Sequence, residues 1–284
     1  WIGTRQILYD YSIPSLAVDN HMICTVVLND KKYFLDATED NVSFGDYAER
    51  IQNRQVMIEN GDKYILDKVP TFDKTRNLEQ HSYTSKINSE LLEGVGKFTL
   101  HGETKKDFVT HYTHTQNDKK QEYLEGYIND KKSDFKISDV KVGDMTERSG
   151  PLDIDYAFSI ANSVSSFNNE MYVDMDPEKD FKNTVIKDDR LVDIDFGEKI
   201  YKKFHVELET PTGYTVATVP ENLTVSEPDF SFSITYSKNG NKVIYNREIS
   251  VEKGTITKAN FPKWNDAIKK LSKAHENQLV LKKK

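Results

Sequence analysis

His21-Met22-Ile23-Cys24-Thr25-Val26-Val27-Leu28-Asn29-Asp30-Lys31-Lys32-Tyr33-Phe34-Leu35-Asp36 reads as a hairpin. Met22 to Leu28 is an apolar, β-branched run, Asn29-Asp30-Lys31 supplies turn chemistry, and Lys32 to Leu35 returns. Folded this way, the stretch carries an imidazole at the start of one strand and a carboxylate at the end of its partner. With the turn centred near Asp30, Asp36 falls opposite a residue at 23 to 25. A contact with His21 then requires a bulge, a strong twist or a displaced loop. Such a pair serves a thiol enzyme, where the imidazole takes the cysteine proton and the carboxylate orients it, or a purely structural contact.

Working outward, Phe44 to Arg54 is expected to form a short helix with Tyr47, Ala48 and Ile51 on one face and Ser43 as a cap. Gln55 to Ile58 and Lys63 to Leu66 form a second hairpin across Glu59-Asn60-Gly61-Asp62, and Pro70 closes this segment. From Thr71 to Asp195 the pattern is mixed. Thr84 to Leu92 and Lys97 to Gly102 alternate like strands, and Asp107 to His114 and Lys119 to Ile128 have helical spacing. After the Ser149-Gly150-Pro151 turn, Leu152, Ile154, Tyr156 and Phe158 share a strand face. Phe196 to Lys284 is the clearest β reading, with strands at His205 to Glu209, Thr215 to Val219, Ser231 to Tyr236 and Lys242 to Val251. It contains one well-marked helix, in which Pro262 suits the first turn and Trp264, Ala267, Ile268, Leu271 and Ala274 make one apolar stripe, before a strand at Leu279 to Leu281. The expected class is α+β with three regions: 1–70, 71–195, and a β-sandwich-like 196–284.

The 284 residues, 37% hydrophobic and 11% aromatic, are enough to bury a core, and the aromatic content favours sheets. A net charge of -7 with both signs interspersed argues against a nucleic-acid partner. No stretch approaches the ~20 apolar residues that span a bilayer. With a single cysteine, Cys24, the chain forms neither an internal disulfide nor a multi-cysteine metal cage.

Asn20-His21-Met22-Ile23 and Tyr33-Phe34-Leu35-Asp36-Ala37-Thr38 resemble the histidine and aspartate blocks of the transglutaminase-like superfamily, and Gly3-Thr4-Arg5 fits the same lineage. The C-terminal part, through Pro211-Thr212-Gly213-Tyr214, Val219-Pro220 and Leu279 to Lys283, is similar to the β-rich domain of unknown function that follows such a core in large bacterial envelope proteins. The resemblance implies a papain-like thiol core acting on a peptide or protein substrate, with His21 as base and Asp36 as its orienter. It also implies a periplasmic or cell-envelope location in a Gram-negative bacterium, and no cofactor or metal. The family's cysteine normally precedes the histidine, and none of the twenty residues before His21 is cysteine. Cys24, three positions along the same strand, faces away and reads as a buried structural thiol. The chain is therefore expected to lack acyl-transfer activity by itself. Either it is part of a longer enzyme whose N-terminal half completes the core, or its lineage has lost the nucleophile. The rival is a non-catalytic binding or assembly module of the envelope.

Asn20 and Trp1 are candidate substrate-binding residues. Tyr9 and Tyr11 line a cleft beside His21 or pack in the core. His111 and His114, with His101 nearby, are either a weak metal motif or surface histidines. Asp153/Asp155, Asp174/Asp176 and Asp193/Asp195 are either calcium-like carboxylates or solvated acids, since the glycine and distal glutamate of an EF-hand loop are missing.

Overall fold

The computed structural model describes residues 1–8, 11, 12 and 14–284. Tyr9 lies outside the described residues. Strands β1 (Cys24–Leu28) and β2 (Lys31–Leu35) pair antiparallel, with Leu28 opposite Lys31. Asn29 and Asp30 close them at φ +51° and +59°, left-handed values that Asn and Asp tolerate and a two-residue hairpin turn demands. β3 (Gln55–Asn60) and β4 (Lys63–Lys68) form the second hairpin. Ile2 joins the two by backbone bridges to Val56 and to His21, and it packs with Phe34, Tyr47, Ile51, Val56 and Val69 in a small core.

The helix expected over 44–54 is absent; the segment is a series of turns. Gly45 and Asn53 sit at φ +86° and +61°, and only isolated bonds such as Gln52 N to the Ala48 carbonyl form. The Gln52 side chain donates to the Tyr47 carbonyl at 2.8 Å, which offers the backbone a local alternative to helix.

The body follows, beginning with β5 (Leu78–Asn88) and β6 (Leu91–Leu100). The strand expected over Thr84 to Leu92 is extended but broken into the end of β5 and the start of β6 by a turn at Ser89-Glu90, where Ser89 takes φ +57°. Then come α1 (Gly102–His114), α2 (Lys120–Asn129), β7 (Phe135–Val142), β8 (Leu152–Ile160), β9 (Val164–Phe167) and β10 (Glu170–Val173). Residues 174–193 run as an irregular strap to β11 (Ile194–Asp195). β12 (Ile200–Glu209), β13 (Tyr214–Thr218), β14 (Leu223–Ser226), β15 (Phe230–Asn239), β16 (Lys242–Val251), β17 (Thr255–Ile256), α3 (Phe261–Ala274) and β18 (Leu279–Lys283) complete the chain. The class is α+β.

Eight strands form one sheet in the order β14-β15-β16-β12-β5-β6-β8-β7, antiparallel except for the β12–β5 pair. A separate four-stranded sheet, β13-β18-β10-β9, contributes Val164, Val173, Leu279 and Leu281 to the same core. The β12–β5 pairing runs across the boundary expected at 195/196. Tyr201 lies opposite Leu78 and Glu209 opposite Lys86, so residues 71–195 and 196–284 share one sheet and one core. Local pattern gave no warning, because parallel strands are joined by distant sequence.

Alternation turns one sheet face inward: Phe98 and Leu100 of β6, Ile154, Tyr156 and Phe158 of β8, Val206 and Leu208 of β12. Phe108 of α1, Leu124 of α2 and Trp264, Ile268 and Leu271 of α3 pack in the same cluster. Gly96 sits against Tyr156, whose ring lies 2.5 Å from where a Cβ would stand, so only glycine admits it. Among the described residues no helix is long and apolar enough to cross a membrane.

Candidate functional site

His21 precedes β1 and Asp36 follows β2. Continuing the ladder from Cys24 opposite Leu35 would set Asp36 opposite Ile23. His21 is two positions further on the same face, a diagonal neighbour within reach of a long side chain. No bulge is needed: Nε2 of His21 lies 2.8 Å from Oδ2 of Asp36. Both side chains are largely buried, at 12% and 6% exposure.

Asp36 is held from both oxygens. Oδ1 accepts the Thr38 backbone N–H at 3.1 Å and the Thr38 hydroxyl at 2.8 Å, a local turn of the Asp-x-Thr type. Oδ2 accepts from His21 and from Arg50 Nη2 at 3.0 Å. Burial pushes the carboxyl upward, yet the hydrogen bonds from His21 and Thr38 outweigh it and hold the group below the usual aspartate range. An ionised carboxylate only accepts, so the His21 nitrogen facing it carries the proton. In the neutral ring Nδ1 then offers its lone pair, and it has no hydrogen-bond partner among the described residues. Thr38 and Arg50 were missed from sequence. The Asp-x-Thr spacing signals the first, and no local signal marks the second.

The other sequence candidates fare differently. The Asn20 amide is taken up by Thr4: Oδ1 accepts its N–H and Nδ2 donates to its hydroxyl, both at 2.9 Å. Trp1 pairs with Met57 through its backbone, and its side chain is exposed. Tyr11 is buried, and its hydroxyl donates to Asp19. Cys24 is exposed, not buried, because β1 lies in a two-stranded sheet with one open face. His111 and His114 turn back on their own helix, Nδ1 of each donating to the Asp107 and Thr110 carbonyls. No group of three potential metal ligands forms among the described residues.

Asp176 is not solvated. It is buried and accepts from Arg247 Nε at 2.8 Å. Arg247 also binds Glu178 at 3.0 Å and Asp180, so three of the strap's carboxylates meet one guanidinium on the inner sheet face. Asp195 accepts from Arg5 at 2.7 Å, tying the first 72 residues to the body. At the same junction, Glu49 binds Lys199 at 3.0 Å and Asn77 at 3.0 Å. A cavity of about 120 Å³ there, lined by Ser43, Asp46, Gln52, Arg76, His101 and Lys105 among others, includes neither His21 nor Asp36.

Glu198, also at this junction, has one buried carboxyl oxygen with no hydrogen-bond partner among the described residues. Burial first, then the charges of Glu103, Asp107, Glu49 and Glu79, push it from the ordinary 4.5 up to about 8. A raised acid keeps its proton in the folded chain after the unfolded chain has lost it. It favours folding below pH 4.5, and that contribution is lost as the pH rises to about 8. Urea unfolding of Glu198→Gln is expected to match the parent at pH 5 and exceed it at pH 9. Equal stability at both would contradict the assignment.

Residues 169–281 match DUF3858, a domain of unknown function for which a structure has been solved. The match takes in the strap, Arg247 and α3 and stops well short of His21 and Asp36. It agrees with the expected β-rich domain of unknown function in the C-terminal part. No curated protein and no solved structure matches the chain.

Proposed function

We propose that residues 1–70 carry the histidine–aspartate half of a transglutaminase-like thiol site, acting on peptide amides in the bacterial periplasm or envelope. The observation that carries the reading is the 2.8 Å contact between His21 Nε2 and an ionised Asp36, with Nδ1 left to accept a proton. In this reading a cysteine from polypeptide beyond this sequence, the N-terminal half of the core, gives its proton to Nδ1. The thiolate attacks the amide carbonyl, the imidazolium returns the proton to the departing amine, and a thioester remains for water or an amine to take. Asp36 orients the ring and stabilises its charged form. Cys24 is not the nucleophile, since the pleat turns it to the opposite face of β1 from His21.

The test uses the full gene product and follows amine release from a glutamine-bearing peptide. Thiol-dependent turnover is expected, abolished by His21→Ala and lowered roughly 10³- to 10⁴-fold by Asp36→Asn, while Cys24→Ser leaves it unchanged. Full turnover by His21→Ala would end the reading. No turnover at all would favour the non-catalytic envelope module.

A further inference from the structure

We propose that Arg50 is a positioning residue for the His21–Asp36 pair, and that it takes its own place from α1 of the body through Glu39 and Lys106. This rests on the reading of the pair given above. Asp36 Oδ2 has two donors, the His21 ring and Arg50 Nη2 at 3.0 Å. The same Arg50 nitrogen donates to the Thr38 hydroxyl at 2.7 Å, which itself donates to Asp36 Oδ1. Without Arg50, Oδ2 would be held only by the ring it is meant to orient.

The opposite edge of the guanidinium is anchored as well. Arg50 Nε lies 2.6 Å from Glu39 Oε1 as an ion pair whose N–H is not aligned for a hydrogen bond, and Glu39 Oε2 accepts from Lys106 Nζ at 3.0 Å. Lys106 also binds Glu103, one turn earlier on α1. Glu39 and Lys106 are only 12% and 13% exposed, so salt and water screen the pair between them weakly, while Arg50 is 39% exposed. A planar guanidinium presents separate nitrogens to Asp36 and Glu39 at once, which a lysine ammonium on a flexible stem does not reproduce. The line of contacts runs from α1 to the imidazole. The body thereby sets the geometry of a pair carried by another part of the chain.

The experiment is ¹⁵N NMR of the histidine rings in the 284-residue chain, which reads tautomer and ring-proton exchange without any turnover. The parent is expected to show His21 as a single Nε2–H tautomer with a slowly exchanging proton. In Arg50→Met that proton exchanges roughly tenfold faster or more, as loss of a hydrogen bond to a charged group implies, and the Nδ1–H tautomer becomes visible. Lys106→Met and Glu39→Gln move the ring the same way by less, with Arg50 still present, and Arg50→Lys restores the parent signal only in part. A purely structural role would lower the melting temperature and leave the ring signals alone. Parent-like His21 signals in folded Arg50→Met overturn the proposal. If Arg50→Met does not fold, parent-like signals in both Lys106→Met and Glu39→Gln do so. A parent in which His21 is not the Nε2–H tautomer overturns the underlying reading of the pair instead.

Discussion

Arg247→Met is expected to cost about 3–5 kcal/mol of stability, because it leaves buried carboxylates without their counter-charge. Arg247 is 1% exposed, and its guanidinium meets Asp176, Glu178 and Asp180 while lying over the Phe204 ring. Around the three acids there remain Lys202 on Asp180, the Tyr245 hydroxyl and the Glu178 and Lys179 N–H groups on Asp176, the Tyr83 hydroxyl on Glu178, His81 beside Glu178 and His275 beside Asp176. None of these reaches all three. Arg247→Lys recovers only part of the loss, since an ammonium cannot fork between them. Acid acts in the same direction. Burial raises the Asp176 and Asp180 carboxyls, but the Arg247 charge together with their other partners, His275, the Lys179 N–H and Tyr245 for Asp176 and Lys202 and His81 for Asp180, outweighs it and holds both below the ordinary value. Their contribution is present above the unfolded aspartate pKa and is lost as pH falls through the folded one. Urea unfolding at pH 7 measures the effect, and a loss under about 1 kcal/mol would show that the strap's acids are neutralised otherwise.

The second large effect is expected at Trp264→Ala, again about 3–5 kcal/mol, from lost apolar burial and the cavity it leaves. The Trp264 ring, 1% exposed, has Phe230, Phe232, Phe181 and Phe196 within 5.1 to 5.9 Å. Its Nε1 donates to the Thr184 carbonyl at 3.1 Å, so the same side chain fastens α3 to the strap. Trp264→Phe keeps most of the apolar volume and loses the hydrogen bond, and it is expected to fall between parent and alanine. If phenylalanine and alanine destabilise equally, the hydrogen bond outweighs the packing.

Helix α3 was legible because Pro262 and a single stripe led by Trp264 are both local signals. Strand β16 was read to the residue, Lys242–Val251, because Asn239-Gly240 marks the turn and alternation does the rest. The closeness of His21 and Asp36 could be anticipated from the hairpin; the diagonal that achieves it follows from the register. Arg247 escaped notice although its parity gave it away: Val243, Tyr245, Arg247, Ile249 and Val251 alternate onto one buried face. A charge in that series demands buried partners, and these lie in a strap whose carboxylates look like solvated acids in sequence. Arg50 and the β5–β12 pairing rest on contacts between distant segments, which no local pattern encodes.

The parallel seam between β5 and β12 bears on how the polypeptide is made. As the chain leaves the ribosome, β5 emerges with β6 to its one side and an open backbone edge on the other, and it waits through α1, α2, β7 to β10 and the strap before its neighbour arrives. An edge left open that long invites strand addition from other nascent chains. Cutting the gene at residue 169 to isolate the matched segment would leave the mirror-image fault, with β12 unsatisfied along one side.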